Sequence, residues 1–152
     1  MLSTADLDSL IAELLSAEKT IRGKMSWKSA NRADYSVCKF RVISPSVPRS
    51  ILYLILTAEK RHLPQKAGFA LLLGSHRIFA LDVEPRRWHR NRKTLGSIGK
   101  THWHSGRDGE AEADDRIMTH RDWFTEFLLR SRIVFTGQYR KPPYEPEQMV
   151  LL

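Results

Sequence analysis

The sequence predicts an α+β domain: a mainly antiparallel sheet of four to five strands, with an N-terminal and a C-terminal helix packed on it. Strand-like segments follow one another between residues 35 and 83 with short connections, and strands joined in this way pair antiparallel. Segments with helical periodicity stand at the two ends of the chain. We expect one α+β domain over residues 1–140 and an extended C-terminal tail over residues 141–152.

The first helix begins at Ser3, whose hydroxyl can accept a backbone N–H, and Asp6 adds a favourable charge to its first turn. The helix is predicted to run to about Glu18, followed by a polar connector over residues 20–31. Five apolar residues recur at helical spacing and form one core-facing stripe: Leu7, Leu10, Ile11, Leu14 and Leu15.

Period-two alternation begins at Tyr35, with Cys38 and Phe40 on one face and Lys39 and Arg41 on the other. Cys38 is therefore predicted as a small core residue. Residues 51–57 are rich in β-branched and aromatic side chains and predict a more deeply buried strand. Residues 69–73 and 76–83 predict a hairpin, because the Gly-Ser pair between them suits a tight turn.

The second half of the chain is less regular. We predict an irregular segment over residues 85–100, a short strand over 101–105 and a polar loop over 106–115. A second helix starts near Thr119, with Trp123, Phe124, Phe127 and Leu128 toward the core, and residues 133–136 add an edge strand. His120 is expected at the surface or as part of the helix cap.

Composition excludes several classes of protein. The 152 residues include one Cys, which excludes a disulfide framework and a Cys-rich zinc site. The N-terminus lacks a signal pattern, and the longest apolar run, residues 51–56, is too short to cross a bilayer. Neither a Gly-rich phosphate loop nor a nucleophile elbow is present. We expect a soluble cytoplasmic protein that makes no membrane contact.

Positive charge is concentrated in one segment. The chain has 25 Lys and Arg against 17 Asp and Glu, a formal net charge of +8, and no acidic residue between positions 85 and 104. Guanidinium groups bind phosphates and exposed indoles stack on bases, so this segment predicts binding to nucleic acid, with RNA favoured, or to an acidic protein surface. The alternative is a solvated basic loop whose Trp residues cap the core. The candidate binding residues are Arg86, Arg87, Trp88, Arg90, Arg92, Lys93, Lys100 and Trp103.

Two histidines flank Trp103, and alternate residues of a strand share one face. His102 and His104 can therefore bind one divalent metal ion together with Asp82. Without a metal, His102, His104 and His89 would instead act as catalytic acid and base on RNA, since the pKa of imidazole lies near neutral. The alternative to both is a purely structural, hydrogen-bonding role. No other cofactor is expected.

An acidic segment follows directly, with Asp108, Glu110, Glu112, Asp114 and Asp115. Three interpretations are open. The segment binds a cation, although it lacks EF-hand spacing; it is a mobile solvated loop; or it pairs with the basic segment and gates it.

Three short motifs resemble a family of small, uncharacterised proteins from bacterial genomes and mobile elements. They are the R-x-x-x-x-D of Arg77 and Asp82, the H-x-N of His89 and Asn91, and the H-x-H at positions 102–104. The resemblance covers residues 69–133 and implies that Asp82, His89, Asn91 and the H-x-H pair belong together. It supplies no activity. In those relatives apolar residues follow the H-x-H, whereas here the acidic segment does.

The leading functional hypothesis is a small basic protein that engages nucleic acid and cleaves RNA, in the manner of a toxin or prophage-encoded ribonuclease with a His cluster. The alternative is a non-catalytic mobile-element inhibitor that docks on a host complex. A third hypothesis is a divalent-metal-dependent hydrolase. The sequence carries no signal for oligomeric state.

Overall fold

The computed structural model describes residues 3–32, 34–48, 51–85, 101–107, 109 and 111–146. The elements in chain order are α1 (Thr4–Ser16), β1 (Lys19–Ile21), β2 (Lys28–Ser29), β3 (Tyr35–Arg41), β4 (Leu52–Glu59), β5 (Ala67–Leu73), β6 (His76–Val83), β7 (His102–Ser105), β8 (Glu112–Ala113), α2 (His120–Ser131) and β9 (Ile133–Phe135).

The main sheet is antiparallel and has the strand order β2-β3-β4-β5-β6-β7-β8. The α+β class is confirmed, but the expectation of four to five strands is too small, because this sheet has seven in the described part of the chain. The five central strands are the predicted ones. The two additional strands, β2 and β8, have only two residues each and extend the sheet at its two edges.

A second, two-stranded sheet pairs β1 with β9 in parallel. The expected polar connector over residues 20–31 is therefore wrong in part, since it contains the end of β1 and all of β2. The expected polar loop over residues 106–115 likewise contains β8. Residues 133–135 do form a strand, but it pairs with β1 and does not extend the main sheet.

Both helices begin as predicted. The Ser3 hydroxyl accepts a hydrogen bond from the Asp6 backbone N–H at 3.1 Å, and the Thr119 hydroxyl accepts one from the Asp122 N–H at 3.1 Å. Each bond satisfies one of the N–H groups that a helix start leaves unpaired. Helix α2 ends at Arg132, which adopts a left-handed conformation with φ 58°.

A buried lysine closes the end of α1. The Lys19 ammonium donates to the Leu14 carbonyl and, at 2.6 Å, to the Ala17 carbonyl. These are carbonyls that the helix terminus leaves without an intrahelical donor. Burial lowers the pKa of Lys19 to about 8, and the positive charge of Arg132 adds to the shift.

The core lies between the helices and one face of the main sheet. Phe127 of α2 is fully buried and packs on Phe69, Phe79 and Trp103, with ring centroids 5.7, 5.3 and 6.1 Å away. Cys38 is buried, as predicted. The core-facing residues of β5, β6 and β7 thus meet the aromatic face of α2, and their alternate residues point to the opposite face.

Residues 136–146 contain no helix or strand and pack back along the domain. Their backbone carbonyls accept hydrogen bonds from the Trp27 indole, at Arg140 (2.9 Å), and from the Gln65 amide, at Pro143 (3.1 Å). The end of the predicted tail, residues 147–152, lies outside the described residues.

Neither helix in the described part of the chain combines the length and the apolar character that a membrane crossing requires.

Candidate metal site

The pairing of β6 with β7 determines which side chains share the outer face of the sheet. Asp82 lies directly opposite His102, and Ala80 lies opposite His104. Side chains that are directly or diagonally opposite on an antiparallel pair lie on the same face and within reach of each other. Asp82, His102 and His104 therefore converge on the outer face, while Trp103 points into the core.

The three side chains form a compact group that is open to solvent. Asp82 Oδ2 lies 3.4 Å from His102 Nε2 and 3.5 Å from His104 Nε2. The side chains of His102, His104 and Asp82 are 26, 25 and 36% exposed, so a solute can reach them. The imidazole rings meet edge to face, with centroids 4.7 Å apart.

These separations match those between ligands of one metal ion. One ligand atom from each residue can be chosen so that all three lie within 4.8 Å of one another. Metal–ligand bonds of about 2.1 Å at a tetrahedral angle place two ligand atoms about 3.4 Å apart, close to the observed oxygen–nitrogen distances. Two imidazoles and one carboxylate are a donor set that suits Zn²⁺ and also Fe²⁺.

The electrostatic surroundings favour neutral His104. Burial lowers its pKa, and the positive charges of His102 and Arg77 lower it further, while Asp82 opposes the shift. A histidine binds metal through a neutral imidazole, so a lowered pKa keeps His104 competent as a ligand at neutral pH.

A β-bulge brings Arg77 to the same face as Asp82. Residues five apart on a regular strand point to opposite faces. The pairing of β5 with β6 shifts between Leu71 and Leu72, so Leu72 lies opposite Arg77 while Gly68 lies opposite Asp82. Arg77 Nη1 consequently lies 3.7 Å from Asp82 Oδ2. Sequence reasoning placed Arg77 in a motif but gave it no function, because a bulge leaves no clear signal in the sequence.

Gly68 keeps space open beside the carboxylate. A Cβ at this position would lie 2.9 Å from Thr57 Oγ1 and 3.8 Å from Asp82 Oδ1. Glycine therefore lets the Thr57 hydroxyl and the Asp82 carboxylate approach the same point of the sheet surface.

A small polar pocket of about 320 Å³ adjoins the three side chains and shares His104 with them. It lies where the turn before β6 meets the turn after β7. No acidic side chain is among its described lining residues, which are Ser75, His76, Arg77, His104, Gly106, Arg107 and Gly109. Sequence analysis missed His76 and Arg107, since only the strand pairing brings them beside His104.

The structure brings together three of the predicted site residues, namely Asp82, His102 and His104. The prediction that Trp103 offers an exposed indole to nucleic acid is wrong. Trp103 is 3% exposed and its ring stacks on Phe127. The other predicted residues lie outside the described part of the chain: Arg86, Arg87, Trp88, His89, Arg90, Asn91, Arg92, Lys93 and Lys100.

His120 is not the surface or capping residue that its position in the sequence predicts. Its ring packs against Phe69 and Trp27, with centroids 5.0 and 5.6 Å away, and its Nδ1 lies 2.6 Å from the Tyr139 hydroxyl. Burial lowers the pKa of His120 to about 4, so its ring is neutral at pH 7. His120 and Trp123 line a large apolar cavity of about 810 Å³ at the other end of the domain from the Gly74 turn.

One residue of the acidic segment, Asp114, makes structural contacts. The Asp114 carboxylate accepts hydrogen bonds from the Trp103 indole at 3.1 Å and from the Arg116 guanidinium at 2.7 Å. These contacts, chiefly the one with Arg116, lower the pKa of Asp114 to about 2. Asp114 thus ties β8 and the following chain to the core, which differs from the expected mobile loop. Asp108 and Glu110 lie outside the described residues.

Comparison of the chain with family models, curated proteins and solved structures gave no match. The resemblance of the three motifs to small bacterial proteins therefore stays a prediction.

Proposed function

We propose that the chain is a divalent-metal-dependent ribonuclease in which Asp82, His102 and His104 bind the metal ion. One observation carries this proposal: the two imidazole nitrogens lie 3.4 and 3.5 Å from one carboxylate oxygen, on an outer sheet face that solvent reaches. Three protein ligands leave a coordination position for water, which is the arrangement of catalytic zinc sites.

The chemistry follows from that open position. A divalent ion held by Asp82, His102 and His104 would supply an acidified water as the nucleophile for phosphodiester hydrolysis. Hydrolysis would add this water across one phosphorus–oxygen bond, which leaves a phosphate on one fragment and a hydroxyl on the other. The metal and Arg77 would both stabilise the negative charge that builds on the phosphoryl oxygens.

Charge supports a polyanionic substrate. The chain carries a formal net charge of +8, which attracts nucleic acid through the phosphate backbone. Arg77 and Arg107 add two guanidinium groups close to the three ligands. RNA remains the favoured substrate from the sequence, and its cleavage is the activity to test.

The geometry favours metal catalysis over the metal-free alternative. A general base and a general acid must approach the scissile phosphate from the sides of the attacking and the leaving oxygen. Here both Nε2 atoms approach the same oxygen of Asp82, and the rings touch each other edge to face. Three ligand atoms that lie within 4.8 Å of one another are the arrangement that a shared ion requires.

The test is cleavage of a labelled RNA by the full chain with Zn²⁺, Mn²⁺ or Mg²⁺ and with a chelator. We expect metal-dependent cleavage that is lost in Asp82→Asn and in His102→Ala, and retained in the matched control His62→Ala, whose ring is exposed. A substrate with one 2′-deoxy position at the cleavage site should still be cut, because water is the nucleophile. Cleavage that needs the 2′-hydroxyl and survives the chelator would refute the metal mechanism. Metal-dependent binding without cleavage would support the non-catalytic alternative instead.

A further inference from the structure

The polar pocket beside the three ligands has the composition of an anion site. Arg77, near the start of β6, and Arg107, in the turn after β7, line it with two guanidinium groups, and His76 and His104 add ring N–H groups that can donate hydrogen bonds. Guanidinium groups bind phosphate through paired N–H donors, with defined orientation as well as charge. At about 320 Å³ the pocket is large enough for a phosphoryl group.

Arg107 is held in place for this task. Its Nε and Nη2 donate to Asp8 Oδ1, each at 3.1 Å, which anchors the guanidinium to helix α1. A guanidinium has five N–H donors, so this contact leaves others available to a ligand. The Arg107 side chain is largely shielded from solvent, whereas that of Asp8 is exposed.

The turn that carries Arg107 is also fixed in shape. Gly106 has φ +77°, a conformation that favours glycine, and its N–H donates to the Ile78 carbonyl at 2.8 Å. A Cβ on Gly109 would lie 1.7 Å from the Ser105 carbonyl oxygen, so only glycine fits there. The turn after β7 therefore presents Arg107 at a defined distance from β6.

Two side chains connect the pocket to the ligand group. Arg77 lines the pocket and also lies 3.7 Å from Asp82 Oδ2. His104 lines the pocket and belongs to the three ligands. An anion in the pocket would thus be a direct neighbour of whatever the three ligands hold.

We infer that this pocket is a phosphate subsite that binds the phosphate next to the scissile one. The inference rests on the proposed function and adds the substrate class: a polynucleotide that offers two neighbouring phosphates, one to the metal and one to Arg77 and Arg107. A small phosphodiester with a single phosphate would use the metal and leave the pocket empty.

Arg107 is the residue to change, because Arg77 also contacts a metal ligand. Inorganic phosphate is the first probe, titrated calorimetrically at constant ionic strength without added metal. Arg107→Gln should weaken phosphate binding about tenfold, since hydrogen bonds between charged groups are lost. Arg107→Lys keeps the positive charge but loses the paired N–H donors of the guanidinium, so its affinity for phosphate should lie between those of the unchanged chain and Arg107→Gln. Arg41→Gln makes the same charge change at an exposed position on β3, which β4 and β5 separate from β6, and should leave phosphate binding unchanged.

Kinetics give the second readout. With Arg107→Gln we expect the KM for an RNA oligonucleotide to rise about ten times more than the KM for bis(4-nitrophenyl) phosphate, which has one phosphate. Equal effects on both substrates, or equal effects of Arg107→Gln and Arg41→Gln, would overturn the subsite.

The phosphate titration requires neither metal nor cleavage, so it separates the two proposals. If the chain binds phosphate through Arg107 but cleaves no RNA, the ribonuclease proposal is overturned and the phosphate subsite is supported. If the chain cleaves RNA and Arg107→Gln leaves this cleavage unchanged, the subsite is overturned and the ribonuclease proposal is not. The melting temperature of each variant shows whether it is folded.

Discussion

Strands β6 and β7 have two faces with opposite properties. On the inner face Leu81 and Trp103 lie directly opposite each other and are buried in the core, where Trp103 stacks on Phe127 of helix α2. On the outer face Asp82 and His102 form the neighbouring pair, about a quarter to a third exposed. One residue along each strand thus separates a packing contact from a candidate metal ligand. Stability and metal binding thus depend on different residues of the same two strands. A variant on the inner face should change stability, and a variant on the outer face should change metal binding.

The largest expected effect is on the inner face. Phe127→Ala removes a fully buried ring that touches three other aromatic rings, and such changes cost about 3–5 kcal/mol in unfolding free energy. Denaturant unfolding measures the loss. Leu129→Ala on the same helix is the control, because Leu129 is exposed and should change stability by less than about 0.5 kcal/mol. Similar losses in both variants would contradict the packing described here.

The next largest effect concerns the pH dependence of stability that buried His120 causes. The pKa of His120 is lowered to about 4 in the folded state, so the unfolded chain binds more protons below pH 6.5. The stabilisation from neutral His120 is fully present above pH 6.5. As the pH falls toward 4, this contribution to the free energy of unfolding is lost, by about 3 kcal/mol in total.

Denaturant unfolding of the chain and of His120→Phe between pH 7 and 4 tests this. The variant keeps an aromatic ring beside Phe69 and Trp27 and should lose most of the pH dependence in that range. An unchanged pH dependence in His120→Phe would show that the group responsible lies elsewhere.

A smaller effect concerns the outer face. Asp82→Asn removes the charged ligand that both imidazoles approach, so Zn²⁺ affinity should fall on the order of 100-fold, measured by competition with a chromogenic chelator. Stability without metal should change by less than about 0.5 kcal/mol, since the Asp82 side chain is partly exposed on this face. Glu112→Gln, which changes an exposed carboxylate on β8, the strand next to β7, is the control. Equal losses of Zn²⁺ affinity in the two variants would show that Asp82 is not a metal ligand.

The smallest effect concerns the contacts of the Asp114 carboxylate with Arg116 and Trp103. Asp114→Asn weakens the bonds to Arg116 and Trp103 and should cost about 1–2 kcal/mol at pH 7, a figure reduced because Arg116 is half exposed. Since the pKa of Asp114 is lowered to about 2, its contribution is present above pH 4 and is lost as the pH falls toward 2. Unfolding at pH 7 and pH 2 should show the difference between chain and variant shrinking in acid; a constant difference would contradict the ion pair.

The long strands and both helices could be predicted because their signals are local. Alternation indicates β3, β-branched and aromatic composition indicates β4, and the Gly-Ser turn indicates the hairpin of β5 and β6. The caps at Ser3 and Thr119 indicate the helix starts. The short strands could not be found in this way. Two or three residues carry no measurable period, and β1 exists because it pairs with β9, more than a hundred residues later.

The candidate site shows the same division. That His102 and His104 share a face follows from their spacing, whereas the approach of Asp82 depends on register and that of Arg77 on a bulge. The burial of His120 depends on Tyr139 and Trp27, which lie in distant parts of the chain. Long-range pairing and packing therefore supply what local patterns cannot.

The most direct test of the central claim is a crystal structure of the full chain grown with one equivalent of Zn²⁺, with the ion located by its anomalous signal. We predict a single zinc ion bonded to the Asp82 carboxylate and to the Nε2 atoms of His102 and His104 at about 2.0–2.2 Å. Zinc bound at another place, or three side chains that hold no ion while zinc is present in the crystal, would contradict the account.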